Sequence, residues 1–335
     1  MADQAFLDLY RLRQQGRRGV LATVVKGEGP TYRPPGGSAV VAEDGQVIGA
    51  ISGGCLEADV VDAARRVLEG GPACLLEYDT GGYEDLLWGT ASGCGGRIQV
   101  LVSAVPDALL DQIAARLQRG QAVGLTTAIG FGLELGERRL DPDIAGPAPY
   151  WYSPDYSVLH QVLQPPVTLL LCGAGDDAQP VARLAAASGF RLVLVDHRPA
   201  LATAERFPEA DAIVLCDPEE LTGQVEIRPG SYAVLLTHLY ERDLKHTLVL
   251  LGQPVAYIGL LGARDRTRKL IGEVLAAHPD WKERVRAVLR APVGLDIGAD
   301  GPQELALSIV GEMVALRAGR SGAPLIASRG SVVDD

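Results

Sequence analysis

A glycine-rich turn between a predicted strand and a predicted helix is the feature of this sequence with the clearest chemistry. Apolar residues predict a strand over Val167–Cys172, Gly173-Ala-Gly175 follows at once, and a helical pattern continues to about Ser188. Asp196 ends the next apolar run 21 residues after Gly175, which is the spacing of an acid that binds a ribose. Such a turn brings backbone N–H groups and a helix N-terminus toward a pyrophosphate. We therefore predict that Gly173, Gly175 and Asp196 bind a nucleotide-containing ligand; a similar scaffold without a ligand is the alternative.

Three further side chains lie near this turn or at a neighbouring strand end. Asp176 and Asp177 follow Gly175 directly, and two carboxylates repel a diphosphate unless a divalent cation bridges them or they point away. Thr237-His238 follows another apolar strand, at the carboxyl end where open α/β sheets bind ligands. His238 is our candidate general acid or base, with a capping or orienting role as the alternative.

Two cysteines in the first half could supply reactive thiols. Cys55 lies in Ser52-Gly-Gly-Cys-Leu-Glu57, where a predicted helix begins, and Cys94 lies in a glycine-rich stretch close to Arg97. A helix N-terminus or a nearby cation stabilises a thiolate, and soft thiolates suit sulfur transfer or a soft metal. Buried, inert thiols are the alternative for both.

An arginine on a stiff loop is the other candidate in the first half. Arg33 stands between Tyr32 and Pro34-Pro35, and a guanidinium held in this way can clamp a phosphate or a carboxylate. Glu57, at the start of the following helix, is placed to pair with it. A purely structural Arg33–Glu57 pair is an equally good interpretation.

The chain is long enough for two domains, since 335 residues exceed the usual size of one. We predict a compact α/β domain over 1–140, a linker rich in proline and aromatic residues over 141–166, a Rossmann-type domain with a C-terminal helix over 167–325, and a tail over 326–335. In the second domain, strand-like and helical runs alternate, which predicts a doubly wound parallel sheet.

The first domain should contain a helix over Gln4–Gln15 and a hairpin around Asp44-Gly45. Near its end we expect a strand over Ala122–Ala128 and another near Phe131–Glu134.

Composition excludes several classes of protein. The formal net charge is -11 and the sequence pI is about 5.0, which argues against nucleic-acid binding. No stretch approaches the roughly 18 apolar residues of a membrane span, and the N-terminus lacks the pattern of a signal peptide. We therefore expect a cytoplasmic protein that is not inserted in a membrane. The five cysteines form no CxxC pair, so structural disulfides and zinc are not expected.

Seven motifs, in order along nearly the whole chain, resemble the XdhC/CoxI family. They are Arg33-Pro-Pro-Gly-Gly37, Ile51-Ser-Gly-Gly-Cys-Leu-Glu57, Ser92-Gly-Cys-Gly-Gly96, Gly173-Ala-Gly175, Thr237-His238, Gly259-Leu-Leu-Gly262 with Arg264 and Arg268, and Gly294-Leu-Asp-Ile-Gly298. The chain departs from the family in carrying Asp176-Asp177 where many members have His-Val.

The resemblance implies a non-catalytic accessory protein. Members of this family bind the molybdenum cofactor, protect it, support its sulfuration by a cysteine desulfurase, and deliver it to the apoenzyme of a molybdenum hydroxylase of the xanthine or carbon monoxide dehydrogenase type. Gly173 and Gly175 would then hold the pyrophosphate of a molybdopterin dinucleotide, if that is the form bound, and Cys55 or Cys94 would approach molybdenum. Arg33, Glu57, Asp196 and His238 complete the expected cofactor-binding set.

Two other functions are consistent with the same residues. An NAD(P)-dependent oxidoreductase would use His238 as its acid or base, and a nucleotide-sensing regulator would need neither Cys55 nor Cys94. A homodimer could form through the apolar stripe of the C-terminal helix, and packing of that stripe in the core is the alternative; its residues are Leu305, Ile309 and Met313.

Overall fold

The computed structural model divides the chain into two compact units, Met1–Pro166 and Val167–Asp335. It describes residues 2–29, 31–54, 56–79, 96–130, 133–142, 149–153 and 155–329. Among these, no helix is long and apolar enough to cross a membrane.

The N-terminal unit is built on two antiparallel sheets. Its elements are α1 (Ala2–Gln14), β1 (Gly19–Glu28), β2 (Ser38–Ala42), β3 (Val47–Ile48), α2 (Glu57–Leu68), β4 (Cys74–Asp79), β5 (Arg97–Ser103), α3 (Asp107–Gln118), β6 (Val123–Ala128), β7 (Arg138–Leu140), β8 (Tyr150–Tyr152) and β9 (Val158–Leu163). The strand orders are β3-β2-β1-β5-β4 and β7-β6-β9-β8.

Helices lie on both faces of the five-stranded sheet. Successive strand residues point to opposite faces, so each face buries its own set of side chains. Leu21 and Val40 pack with residues of α1 and α3. Their neighbours Val20 and Val41 pack with residues of α2 on the other face. Residues 20–25 of β1 and 39–42 of β2 are therefore apolar at almost every position.

The strand expected near Phe131–Glu134 is not found in its two described residues, Leu133 and Glu134. Phe131 lies outside the described residues, and the strand that returns along β6 is Arg138–Leu140, with Thr127 opposite Arg138. Gly136 has a positive φ of 81°, which suits a tight turn. The turn, closed by the Glu137 N–H donating to the Glu134 carbonyl at 3.0 Å, therefore begins where the predicted strand ends.

The segment interpreted from the sequence as a linker contributes two strands instead. Tyr150–Tyr152 pairs with Val158–Leu163, which pairs in turn with β6. Leu159, Gln161 and Leu163 are buried, as alternation along a half-buried strand requires. Pro149 and Pro165 lie just outside these strands, so the aromatic residues of Tyr150–Tyr152 belong to a sheet.

The C-terminal unit is a doubly wound α/β domain, as predicted. Its elements are β10 (Thr168–Cys172), α4 (Ala178–Ala187), β11 (Arg191–Asp196), β12 (Ala212–Leu215), a 3₁₀ turn (Pro218–Glu220), α5 (Leu221–Gln224), β13 (Tyr232–Leu235), α6 (Tyr240–Leu251), β14 (Tyr257–Leu260), α7 (Arg264–Ala277), a second 3₁₀ turn (Pro279–Trp281), α8 (Lys282–Val288), β15 (Leu289–Arg290), α9 (Pro302–Arg317) and α10 (Leu325–Arg329). All neighbouring strands are parallel, in the order β12-β11-β10-β13-β14-β15.

The apolar stripe of α9 lies in the core of this unit. Ile309 and Met313 are fully buried in a cluster with residues of α4 and β10, and Leu305 packs against the same cluster. The stripe therefore covers one face of the parallel sheet, and the structure gives it no role as a dimer surface.

Candidate functional site

The strand order places a crevice between β10 and β13. From β10 the chain winds outward through β11 and β12 on one side, and through β13 to β15 on the other. Open α/β sheets bind ligands at this switch point, outside the carboxyl ends of the strands. The turn after β10 and Thr237-His238 after β13 both lie there, so the structure brings together two predicted groups of site residues.

Gly173 allows the turn to lie directly against the end of β13. Its φ is +123°, and an added Cβ would lie 2.5 Å from the Leu236 carbonyl oxygen and 3.0 Å from the Thr237 nitrogen. Its N–H donates to the Val195 carbonyl at 2.9 Å. Only glycine combines this φ with so close an approach.

The turn leaves three successive backbone N–H groups open before α4 begins. Those of Gly175, Asp176 and Asp177 have no hydrogen-bond partner among the described residues. Ala178 closes the turn by donating its N–H to the Gly175 carbonyl at 3.2 Å. Open N–H groups at the start of a helix favour an anion.

A carboxylate of the chain itself lies over this turn. An added Cβ on Gly175 would be 2.7 Å from Oδ1 of Asp177, and Oδ2 of Asp177 is 2.7 Å from Nε2 of His238. An ionised carboxylate only accepts, so this hydrogen bond requires the His238 tautomer that carries a proton on Nε2. Asp177 thus connects the turn after β10 with the loop after β13, across the crevice.

His238 is held in an uncommon conformation on its side of the crevice. Its φ is +60°, which costs free energy for a residue with a Cβ and often marks a functional site. Its side chain remains 61% exposed. It is therefore accessible to a ligand as well as to Asp177.

Asp176 has a different environment from Asp177. Its Oδ1 is 2.9 Å from a guanidinium nitrogen of Arg206, which also donates to the Ala174 carbonyl at 3.3 Å. Asp176 is therefore paired with a cation, and Asp177 is the carboxylate that a bound phosphate would meet.

Asp196 holds the backbone of the turn by hydrogen bonds. Oδ2 accepts the Ala174 N–H at 2.7 Å, and Oδ1 accepts the N–H of Arg198 at 2.8 Å and its Nε–H at 2.9 Å. Burial raises the pKa of Asp196, but the hydrogen bonds from Arg198 and Ala174 outweigh it and bring the pKa to about 2. The side chain is only 2% exposed, so binding a ribose would require Arg198 to move.

A buried network that the sequence analysis missed fixes the loop after β13. The Thr237 hydroxyl donates to Asp243 at 2.6 Å, and Arg266 donates to the other oxygen of Asp243 at 2.6 Å. Arg266 also donates to the Leu261 carbonyl at 3.2 Å. Asp243 is 1% exposed. Asp243 and Arg266 lie near the starts of the helices that follow β13 and β14. This position in the sequence could have predicted that the two side chains lie near the same edge of the sheet.

In the N-terminal unit, the expected pairing of Glu57 with Arg33 is not found. The Glu57 carboxylate accepts the N–H of Ser52 at 3.0 Å, its hydroxyl at 2.5 Å, and the N–H of Leu56 at 3.1 Å. Burial raises the pKa of Glu57, but these hydrogen bonds outweigh it, and the pKa is lowered. Glu57 therefore ties the start of α2 to Ser52.

Arg33 is half-buried on its proline-rich loop, and its guanidinium has no hydrogen-bond or ion-pair partner in the described part of the chain. Cys55 and Cys94 lie outside the described residues. Burial raises the pKa values of three other thiols, those of Cys74, Cys172 and Cys216, which makes them poor thiolates.

Two family models match the chain. One is described as the XdhC Rossmann domain and covers residues 169–313. The other is described as the XdhC and CoxI family and covers residues 12–79. The two matches fall in different structural units.

Curated relatives and a solved structure agree with these matches. A protein from Bacillus subtilis described as a probable xanthine dehydrogenase subunit is 33% identical, over 92% of this chain and 96% of its own length. The molybdenum cofactor insertion chaperone PaoD from Escherichia coli is 28% identical, over 90% of this chain and 84% of its own length. The crystal structure of a xanthine dehydrogenase from Bacillus halodurans has a TM-score of 0.75 and 29% identity, over 97% of this chain and 99% of that one. The chain therefore belongs to the XdhC and CoxI family, as its motifs predicted.

Proposed function

We propose that this protein is a molybdenum cofactor insertion chaperone that serves a molybdenum hydroxylase of the xanthine dehydrogenase type. Family membership supports this function, as do the names of two relatives, one of them a cofactor insertion chaperone and the other a probable subunit of xanthine dehydrogenase. The structural observation that carries the proposal is the row of open N–H groups at Gly175, Asp176 and Asp177, at the switch point of a doubly wound sheet.

The C-terminal unit would bind the nucleotide end of the cargo. A pterin dinucleotide contains a pyrophosphate, and open backbone N–H groups at a helix N-terminus are suited to it. Gly173 and Gly175 keep the turn free of side chains, and Asp196 holds its backbone through Ala174. His238 would contact the cargo from the other side of the crevice.

Asp177 sets a condition on this binding. Its carboxylate lies over the turn that would receive the pyrophosphate. The negative charges of the side chain and of the pyrophosphate would therefore repel each other. We propose that Asp177 moves away when the cargo binds, or that a divalent cation bridges it to the phosphates, as Mg²⁺ commonly does with one carboxylate. The Asp177–His238 hydrogen bond would then be exchanged for contacts with the cargo.

The N-terminal unit would bind the metal end of the cargo. Cys55 and Cys94 are the proposed thiols for molybdenum or for a sulfur atom that is transferred to the cofactor. Support of sulfuration by a cysteine desulfurase and delivery to the apoenzyme complete the proposal. In this role the protein needs no turnover of its own, and its partners would be the desulfurase and the apoenzyme.

The test is purification from cells that make abundant molybdenum cofactor. Molybdenum would be measured by mass spectrometry and the released pterin by fluorescence, for the wild-type chain and for Gly175→Asp, Cys55→Ser and Cys94→Ser. Gly272→Ala is the control, because nothing lies within 4 Å of an added Cβ at that helical position.

We expect molybdenum and pterin with the wild-type and control proteins, and a loss of at least tenfold with Gly175→Asp. Loss of molybdenum alone in a cysteine variant would identify the thiol at the metal. Recovery of a nicotinamide nucleotide without pterin would contradict the chaperone function and favour the oxidoreductase.

A further inference from the structure

The N-terminal unit contains a cavity of about 430 Å³ behind the Arg33 loop. This volume is within the usual range of small-molecule sites, roughly 300–1,000 Å³. Its lining is mostly apolar and comes from the loop, the start of β8 and the end of β9: Tyr32, Arg33, Pro34, Pro35, Gly36, Gly37, Pro149, Tyr150, Gln161, Val162, Leu163 and Gln164.

A buried amide stands at one wall of this cavity. Gln161 is 3% exposed, and its Nε2 donates to the Gly36 carbonyl at 3.3 Å. Its Oε1 accepts no hydrogen bond from any residue that the structure describes. Oε1 is not among the fully buried side-chain atoms that lack a partner, so it still reaches solvent and is open to a ligand with an N–H group.

The Arg33 loop is held in place before any ligand binds. The Gly36 N–H donates to the Val24 carbonyl at 2.7 Å, and the Val24 N–H donates to the Gly37 carbonyl at 2.8 Å. The Arg33 side chain packs close to Gly37, since an added Cβ there would be 2.9 Å from Cδ of Arg33. The guanidinium, which has no partner among the described residues, is therefore presented on a loop held by backbone hydrogen bonds, which reduces the entropy lost on binding.

These features select a flat heterocycle that combines an amide edge with a negative charge. Proline and tyrosine walls suit a planar ring, Gln161 can pair with adjacent N–H and C=O groups, and Arg33 suits an anionic substituent. A 2-aminopyrimidin-4-one ring carries such an edge, and it occurs in pterins and in guanine.

We propose that this cavity binds the pterin ring of the cargo, with Gln161 reading its amide edge and Arg33 neutralising its anionic substituent. The assignment rests on the proposed chaperone function for the choice of pterin over guanine. It gives the N-terminal unit a recognition site of its own, built from fully described residues and independent of either cysteine.

The experiment is a fluorescence titration of pterin-6-carboxylate with the full-length protein. We expect Arg33→Met and Gln161→Met each to weaken binding at least tenfold. Val162→Phe, which adds bulk at the lining while keeping both polar groups, should also weaken binding. Arg65→Met is the matched control, because Arg65 is exposed on α2 and pairs only with Asp62 among the described residues; it should bind as the wild type does.

Thermal unfolding of each variant separates lost binding from lost folding, and Val162→Phe provides a test if Gln161→Met unfolds. The proposal would be overturned if the wild-type protein did not bind pterin-6-carboxylate. It would also be overturned if Arg33→Met and Val162→Phe bound it as tightly as the wild type does. Displacement of the pterin by guanosine monophosphate at equal concentration would overturn the pterin assignment in favour of guanine.

The two proposals can fail separately. If molybdenum and pterin co-purify with Arg33→Met, Gln161→Met and Val162→Phe as with the wild type, the chaperone function stands and the cavity is not the pterin site. If no cofactor co-purifies with the wild type while pterin-6-carboxylate still binds in an Arg33-dependent manner, the cavity is a pterin site and the chaperone function fails.

Discussion

At the scale of single residues, Asp177 is the side chain that we expect to affect nucleotide binding by the C-terminal unit most. It lies over the glycine turn and is hydrogen-bonded to His238, while its neighbour Asp176 is neutralised by Arg206. A single carboxylate therefore opposes a phosphate at a turn whose backbone is otherwise suited to one.

We expect Asp177→Asn to strengthen the binding of a nucleoside diphosphate such as GDP in the absence of divalent cations. Removing one like charge should be worth about 1.4 kcal/mol, which is roughly tenfold in Kd. Isothermal titration calorimetry with and without Mg²⁺ measures this directly. Asp176→Asn should change the affinity less, and an unchanged or weaker affinity of Asp177→Asn would show that this carboxylate does not oppose the ligand.

Gly173 provides a second prediction at this scale. Gly173→Ala forces a Cβ against the Leu236 carbonyl at a φ that alanine avoids, and it should destabilise the protein by more than about 2 kcal/mol. Gly272→Ala, on an exposed part of α7, should instead stabilise it by about 0.5–1 kcal/mol. Urea unfolding of both variants makes the comparison. A neutral Gly173→Ala would mean that the turn and the end of β13 can separate at little cost.

At the scale of elements, the turn after β10 depends on the end of β11. Asp196 connects the two through Ala174, and its buried carboxylate forms an ion pair with the half-buried Arg198. In Asp196→Asn the charge is lost, so the free energy of unfolding should fall by about 1.5–3 kcal/mol, the usual range for hydrogen bonds to a charged group.

The same variant gives a pH dependence with a definite sign. Because the pKa of Asp196 is about 2 in the folded protein and ordinarily 3.8, its ionised form stabilises the fold above about pH 3.8, and this contribution is lost as the pH falls toward 2. The difference in unfolding free energy between the wild type and Asp196→Asn should therefore be full at pH 7 and smaller at pH 3. A difference that stays constant over this range would contradict the role given to the ion pair.

At the scale of the whole molecule, each unit has a core of its own. Both hydrophobic clusters of the C-terminal unit consist of residues from Val167 onward, and the clusters of the N-terminal unit consist of residues before Pro166. A compact unit with its own core can in principle fold alone.

We therefore expect residues 167–335, expressed alone, to unfold cooperatively and to retain any nucleoside diphosphate binding seen in the full chain. Circular dichroism during heating and calorimetry with GDP test the two parts of this expectation. The fragment 1–166 serves as the comparison and should retain binding of pterin-6-carboxylate. An aggregated or non-cooperative C-terminal fragment would show that this unit needs the rest of the chain.

Much of the C-terminal unit could be predicted from the sequence because its signals are local. Apolar runs such as Arg191–Asp196 alternate with amphipathic helices, and this alternation leaves a parallel sheet as the natural arrangement. The second sheet of the N-terminal unit was harder to predict, since Tyr150–Tyr152 and Val158–Leu163 are short, lie near prolines, and gain their stability from pairing with β6. Pairing between strands distant in sequence has no local signature.

The sequence by itself determined the family, the glycine turn and the types of residue available for chemistry. Only the tertiary structure decided which of them meet: Asp177 with His238 across the crevice, Asp196 with Ala174 and Arg198, and Glu57 with Ser52 in place of Arg33. It alone revealed the cavity that Arg33 and Gln161 both line, although these residues lie more than a hundred positions apart. The reason is physical, because side-chain partners depend on strand register and loop direction, which long-range packing sets and no short segment encodes.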